Sequence, residues 1–267
     1  MSTLYNTAIY MHIDIRNVSH EYGTNRGSLE VLSDLSLTIN KGGFTAIVGP
    51  SGCGKSTITR LVSGLITPTK GEIYISNKKV ISPISTVGMA FQNPVLLEWR
   101  NIISNIILPL EIVSKNLSKA QKKDRARKLL KLVGLEEFEL NRPSELSGGM
   151  KQRVSLCRSL VHEPEVLILD EPFAALDAFT REDLWNVMHK LKSEQNFTCI
   201  LITHDLREAV YLSDNVIVLS NRPATLQYEV STNFKKNKKI SDLYTPEVSK
   251  ILSNLRDQIE VAQNKNE

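Results

Sequence analysis

Several features that mark protein classes are scarce in this 267-residue chain. It holds three cysteines, Cys53, Cys157 and Cys199, far apart and without a CxxC pair. That spacing reads as reduced thiols in a cytosolic protein. No run approaches the ~18 consecutive apolar residues that span a bilayer. The strongest candidate, Ile102 to Val113, is broken by Ser104, Asn105, Pro109 and Glu111. If the chain works at a membrane, a partner must do the crossing. The opening MSTLYNTAIYMHIDIRN lacks both a basic start and a continuous apolar core, so no secretory leader is expected. There is no internal repeat. The net charge of +4 is small and ungathered. The densest basic run, Lys119 to Lys131, alternates with apolar residues at helical spacing, which favours a solvated helix face over a nucleic-acid arm.

What is present is an ordinary globular composition, 41% hydrophobic and 23% charged, long enough for one large domain or two small ones. Ile13 and Ile15, then Leu35, Leu37 and Ile39, alternate with polar neighbours, the period of half-buried antiparallel strands. EIYISNKKV after Gly71 continues that pattern, with Asn77-Lys78 as its turn. Ala46 to Val48, Val166 to Leu169 and Cys199 to Ile202 do not alternate, as expected of parallel strands buried on both faces. Each leads through a polar or Gly-rich turn into a helical pattern. That is the rhythm of an α/β sheet, whose ligands sit beyond the carboxyl ends of the strands.

From Gln92 to Leu146 the pattern is helical. Ser118 and Gln121 form a capping box, and Gly134 stops that helix. A further helix is expected after Thr180, with Leu184, Val187, Met188 and Leu191 on one face. Beyond Asn233 the chain turns polar (NFKKNKK) and closes with an amphipathic helix from Glu247 to Val261.

Gly49-Pro50-Ser51-Gly52-Cys53-Gly54-Lys55-Ser56 matches G-x-x-x-x-G-K-[ST] between a buried strand and a helix. Glycines let successive N–H groups turn inward around phosphate oxygens, and the helix adds its positive end. Lys55 would reach the β- and γ-phosphates, Ser56 would ligate Mg²⁺, and Thr57 is placed to help hold the α-phosphate. Cys53 stands in this loop for its small size. Asp170 and Glu171 end a buried strand. Asp170 is expected to orient Mg²⁺ through water, and Glu171 to polarise the water that attacks the γ-phosphate.

Leu146-Ser147-Gly148-Gly149-Met150 adds a second Gly-rich helix start, also fit to hold a γ-phosphate. This segment, just before a helix, resembles the ABC ATPase family. In that family it completes the site of the opposite subunit. The resemblance covers roughly Met11 to Val230, and it implies further assignments. Gln92 matches a glutamine that contacts Mg²⁺ and links the site to a membrane subunit. Ala175-Leu176-Asp177 matches a loop passed between subunits. His204 matches a switch histidine that bonds the γ-phosphate, and Tyr22 an aromatic ring that stacks on adenine. Met150 replaces the commoner glutamine, and CRSL stands where ARAL is usual; neither change removes a catalytic group.

The implied fold is a RecA-like P-loop NTPase core with an N-terminal antiparallel β subdomain and an inserted α-helical subdomain. The expected domain spans 11–232, with the helical part at about 95–162 and a C-terminal extension at 233–267. FQNPVLLEWR, NIILPLEI and Ser220-Asn221-Arg222-Pro223 look like importers of nitrate, sulfonates, taurine and pyrimidine precursors. Leu96, Leu97 and Trp99 either dock a permease or fill the subdomain core. The implied protein is a homodimeric, ATP- and Mg²⁺-dependent ATPase at the cytoplasmic face of the inner membrane. Its partners would be permease subunits and, indirectly, a solute-binding protein; nucleic acid is not expected. An iron–sulfur assembly ATPase or an exporter ATPase is the alternative.

Overall fold

The computed structural model describes residues 11–25, 27–235 and 238–264. The reading of the first ten residues, and residues 236 and 237 of the polar stretch, therefore lie outside the described residues.

Alternating sequence at the start gives long antiparallel strands. Strands β1 (Met11–Thr24) and β2 (Gly27–Asn40) pair with β4 (Lys70–Ile75) and the two-residue β5 (Lys78–Lys79) in the order β2-β1-β4-β5. The tight turn joining β4 to β5 is Ser76-Asn77, both in the left-handed region at φ +49° and +62°. It falls one residue earlier than the Asn77-Lys78 expected.

The non-alternating runs form the second sheet, with β3 (Phe44–Val48), β6 (Val87–Phe91), β7 (Val166–Asp170), β8 (Thr198–Ile202), β9 (Asn215–Leu219) and β10 (Leu226–Ser231) in the order β10-β9-β3-β8-β7-β6. All its pairings are parallel except β10 on β9. Their apolar continuity follows from burial on both sides. Ala46, Val48, Leu167 and Leu169 enter one core cluster, while Ile47, Val166 and Ile168 enter the other.

Between these strands lie the helices α1 (Lys55–Val62), α2 (Ile102–Ile106), α3 (Leu108–Val113), α4 (Lys119–Leu132), α5 (Gly148–Leu160), α6 (Ala178–Glu194) and α7 (Leu206–Leu212); α8 (Pro246–Asn264) follows them. Ser118 and Gln121 close the expected capping box on α4, and Gly134 ends its turn at φ +69°. The helix expected after Thr180 begins at Ala178, because the Asp177 carboxylate caps it by accepting from Thr180 N. Asn105, fully buried, interrupts the apolar run for a structural reason. Its amide donates to the carbonyls of Leu97, Arg100 and Asn101, and its Oδ1 accepts from Leu97 N, fixing the preceding loop.

Candidate nucleotide site

The sheet's register lines up the candidate residues. Phe91 pairs with Asp170, Asp170 with Ile202 and Ile202 with Ile47, so four adjacent strands end on one row. Immediately beyond it come Gln92, Glu171, the Thr203-His204 pair and the Gly49 loop. Ligands of parallel α/β sheets bind at such strand ends.

The loop itself is closely packed. Gly54 has φ +122°, and a Cβ there would lie 2.8 Å from Val31 Cγ1, so only glycine fits. Lys55 is 8% exposed, and its Nζ donates to the carbonyls of Gly49 (3.0 Å) and Pro50 (2.8 Å), which holds the ammonium over the loop. Cys53 is fully buried, and burial pushes its thiol up, the opposite of what a reactive cysteine needs. Thr57 spends its N–H on the carbonyl of Gly54 (3.0 Å), leaving only its hydroxyl for other partners; Tyr22 Oη lies 3.4 Å from that hydroxyl.

Ser56 Oγ donates to Asp170 Oδ1 at 3.2 Å, and Thr59 Oγ1 to Asp170 Oδ2 at 3.5 Å. Burial pushes the Asp170 carboxyl above the usual carboxylate range; the Ser56 bond opposes this and the Glu171 charge adds to it. Ser56, Gln92, Asp170 and Glu171 line one open cleft. A hydroxyl, an amide and a carboxylate are hard oxygen donors of the kind Mg²⁺ takes alongside phosphate oxygens. A cation there would also relieve the buried Asp170 charge, so the residues present fit Mg²⁺. Among the described residues no cluster of three His, Cys, Asp or Glu could hold a metal without such help.

Glu171 sits in the left-handed region at φ +50°, its N–H bonded to the carbonyl of Ile202 (2.9 Å). Such a conformation is costly for a residue with a side chain and is typical of functional sites. It turns Glu171 Oε2 to within 3.4 Å of His204 Nδ1. An acid–histidine contact thus stands beside the Ser56–Asp170 pair, with Lys55 held on the adjacent loop, an arrangement suited to in-line water attack on a phosphoryl group.

The remaining sequence candidates lie elsewhere. Ser147 caps α5, its Oγ accepting from Met150 N (3.3 Å), and Gly148 faces open space. Ser147 and Gly149 line a separate cleft with Phe179 and Thr180, next to Asp177 at the start of α6. Phe179 is 87% exposed there. The structure therefore divides the candidate residues into two groups on one chain.

Three contacts of this region lacked a sequence signal. Thr59 reaches Asp170 from one turn beyond the motif. Arg222 Nη2 lies 3.3 Å from the position a Gly52 Cβ would take. Buried Gln152 on α5 donates to the carbonyl of Phe91 (3.1 Å), joining α5 to the strand that leads into Gln92. Of the apolar pair flanking Leu97, Leu96 is buried in the core while Trp99 is 75% exposed.

The family described as ABC transporter matches residues 32–174. The bicarbonate transport ATP-binding protein CmpD of Synechocystis is 40% identical over 220 residues, 82% of this chain and 78% of that one. The aliphatic sulfonates import ATP-binding protein SsuB of Bacillus thuringiensis is 37% identical over 230 residues, 85% and 90% of the two chains. The nitrate import ATP-binding protein NrtD of Synechococcus elongatus is 41% identical over 221 residues, 83% and 80%. Among solved structures, a dimeric ATP-binding cassette in a post-hydrolysis state with ADP and Pi superposes with a TM-score of 0.74 at 30% identity, covering 84% of this chain and all of that one. A strand-end row carrying lysine, paired carboxylates and histidine agrees with these likenesses, and the chain belongs to the ABC transporter family as one of its ATP-hydrolysing, ATP-binding subunits.

Proposed function

We propose that this ATPase powers uptake of a small solute through a separate integral-membrane permease, as a homodimer of cassettes at the cytoplasmic membrane face. The observation that carries the residue assignments is the contact of Glu171 with His204 beside the Ser56–Asp170 pair. In this reading Gly49 to Thr57 cradle the phosphates and Lys55 meets the β- and γ-oxygens. Ser56, Gln92 and Asp170 would hold Mg²⁺, which would supply charge neutralisation on the phosphates. Glu171 takes the proton of the attacking water, while His204 orients it against the γ-phosphate. Tyr22 stacks on adenine. Ser147, Gly148, Gly149 and Asp177 serve the nucleotide of the partner copy, which is consistent with their separation from Lys55 within one chain.

The importer branch rests on relatives named for nitrate, sulfonate and bicarbonate uptake, and on apolar exposure next to Gln92. Phe91 and Val95, which line the Gln92 cleft, expose 40% and 62% of their surfaces, where a permease helix would dock, and Trp99 further along the same segment exposes 75%. Among the described residues no helix is long and apolar enough to cross a membrane, which leaves that task to a permease. A solute-binding protein would deliver the cargo on the other side. We take 11–232 as the ATPase domain, with the helices of about 95–162 inserted, and 233–267 as an extension. The extension's Leu243, Val248 and Leu255 join the main core, which supports a stabilising role.

Glu171→Gln should still bind ATP, lose at least ~10²-fold in turnover, and elute as an ATP-dependent dimer on gel filtration. Undiminished phosphate release would refute the general-base role. Expressed with its neighbouring genes, the chain should co-purify with an integral-membrane permease; recovery with iron–sulfur scaffold proteins instead would favour the rival reading.

A further inference from the structure

A second polar cavity, of about 410 Å³, lies at the opposite end of the parallel sheet from the phosphate loop. It opens at Phe44, where β3 begins, whereas Gly49 follows the strand's other end, about 15 Å away at the usual strand rise. Three lysines line it: Lys192 from the last turn of α6, and Lys235 and Lys238 from the segment after β10.

Their charges are met unequally. Lys235 is matched by both carboxylate oxygens of Asp242, at 2.9 and 3.0 Å. Lys192 Nζ donates to the carbonyls of Gly42 (2.9 Å) and Phe197, and Lys238 Nζ to those of Val210 (2.8 Å) and Ser213. Each ammonium has three N–H groups, so each keeps one beyond these carbonyls, while Lys192 Nζ also lies 4.8 Å from the Phe197 ring centre and Lys238 Nζ 5.1 Å from that of Phe234. Asp214 is the one carboxylate among the described lining residues, and its Oδ2 already accepts from Phe44 N (2.8 Å). With Lys235 and Asp242 set aside as a pair, two ammonium groups face one carboxylate.

Part of this is structural, since Lys238 satisfies carbonyls at the end of α7 and Lys192 satisfies those of the turn before β3 and of the loop before β8. These backbone contacts explain two N–H groups on each lysine. They do not explain why both amines line one cavity with a single carboxylate, Asp214, among its described residues. Burial, not mutual repulsion, sets the acidity of the two amines, and the Asp214 charge opposes it. Burial pushes Lys238 down to about 8 and also lowers Lys192, while burial and then the Lys238 charge lower His189, which lines the same space.

We propose that this cavity binds a small inorganic oxyanion, of nitrate or phosphate size, between Lys192 on α6 and Lys238 on the C-terminal segment. The anion takes the remaining N–H of each ammonium and balances the excess charge. Because it joins α6 to the segment leading into α8, occupancy holds that segment against the body of the chain and stabilises the folded state by mass action.

The test is a thermal melt of the full chain with the phosphate loop saturated by a non-hydrolysable ATP analogue and Mg²⁺, so that the γ-phosphate position is filled and only a second site responds. Sodium phosphate and sodium nitrate are titrated against sodium chloride at constant ionic strength. A saturable rise in Tm with phosphate or nitrate but not chloride is expected. Lys192→Met and Lys238→Met should each weaken the apparent affinity about tenfold or more. An identical response to chloride, or unchanged titrations in both variants, would overturn the assignment. If the variants melt too low to compare, NMR of ε-labelled lysines in the unmodified chain decides. The amine titrating near 8 should move up by about one unit on adding the anion, the equivalent of tenfold linkage. An unmoved titration overturns the proposal.

Discussion

Arg181 Nη1 donates to Asp205 Oδ2 at 2.9 Å, and its Nη2 donates to the carbonyl of Leu176 at the same distance. One guanidinium therefore ties the loop ending at Asp177 to the residue that follows His204 and caps α7. Asp205 also accepts from the N–H groups of Arg207 and Glu208, so its carboxylate is fixed from two sides. The tie joins the His204 loop to the loop that the proposed dimer presents to its partner.

Arg181→Lys keeps the charge and loses the fork, because an ammonium cannot serve two acceptors in that fixed geometry. Stability should fall by ~1–3 kcal/mol, the usual cost of hydrogen bonds to charged groups. If the tie positions His204, ATP turnover should fall about tenfold while ATP affinity changes little. Steady-state phosphate release beside nucleotide-binding titrations separates these outcomes. Equal losses in both would reduce Arg181 to a structural brace.

Gly149 makes a second sharp prediction. A Cβ there would stand 2.5 Å from Thr180 Cγ2, where α5 and α6 begin side by side. Thr180 cannot swing away freely, since its Oγ1 donates to Asp177 Oδ2 at 2.6 Å and holds the rotamer. Gly149→Ala should cost ~1–3 kcal/mol, as overpacking does, and lower ATP turnover. Adding Thr180→Ser deletes the offending methyl and keeps the hydroxyl. The double variant should recover most of the lost stability in chemical denaturation, and a purely additive pair would place the strain elsewhere.

The parts of this architecture that could be read from sequence are those set by local rules. The phosphate loop, the Asp170-Glu171 strand end and the Ser118 capping box each depend on residues within a few positions of one another. The boundaries slipped where neighbouring residues satisfy the same rule. Ser76, Asn77 and Lys78 can all sit in a tight hairpin, and the pairing of Tyr74 with Lys79 chooses among them. Asp177 could be read as a loop residue, and only the bond from Thr180 N makes it a cap. Contacts between distant segments left no mark at all. Nothing near Gly88 announces that a Cβ there would meet the carbonyl of Ser159 at 2.1 Å, or that Gln152 would reach Phe91. Leu96 and Trp99 have similar sequence surroundings, yet one is core and the other surface, because the Asn105 bonds fix the turn of the loop between them.

Glu208, 2% exposed on α7, supplies a pH-dependent prediction. Burial pushes its carboxyl well above the ordinary value of 4.5. The Asp205 and Glu171 charges add to the shift, and a Thr203 hydrogen bond and Arg181 oppose it. The folded chain thus keeps a proton that the unfolded chain releases. Stability from this group is fully present below about 4.5, falls as pH rises above it, and stops falling once pH passes the raised folded-state value. Glutamine copies the protonated carboxyl in shape and stays neutral. Glu208→Gln should therefore match the parent in Tm on the acid side and exceed it increasingly toward neutrality. Titrations shared by both chains cancel in the difference, which isolates this one group. Thermal melts of the pair across the acid-to-neutral range measure it. A difference that does not change with pH would mean that Glu208 is ionised in the folded chain, with its charge met by Arg181.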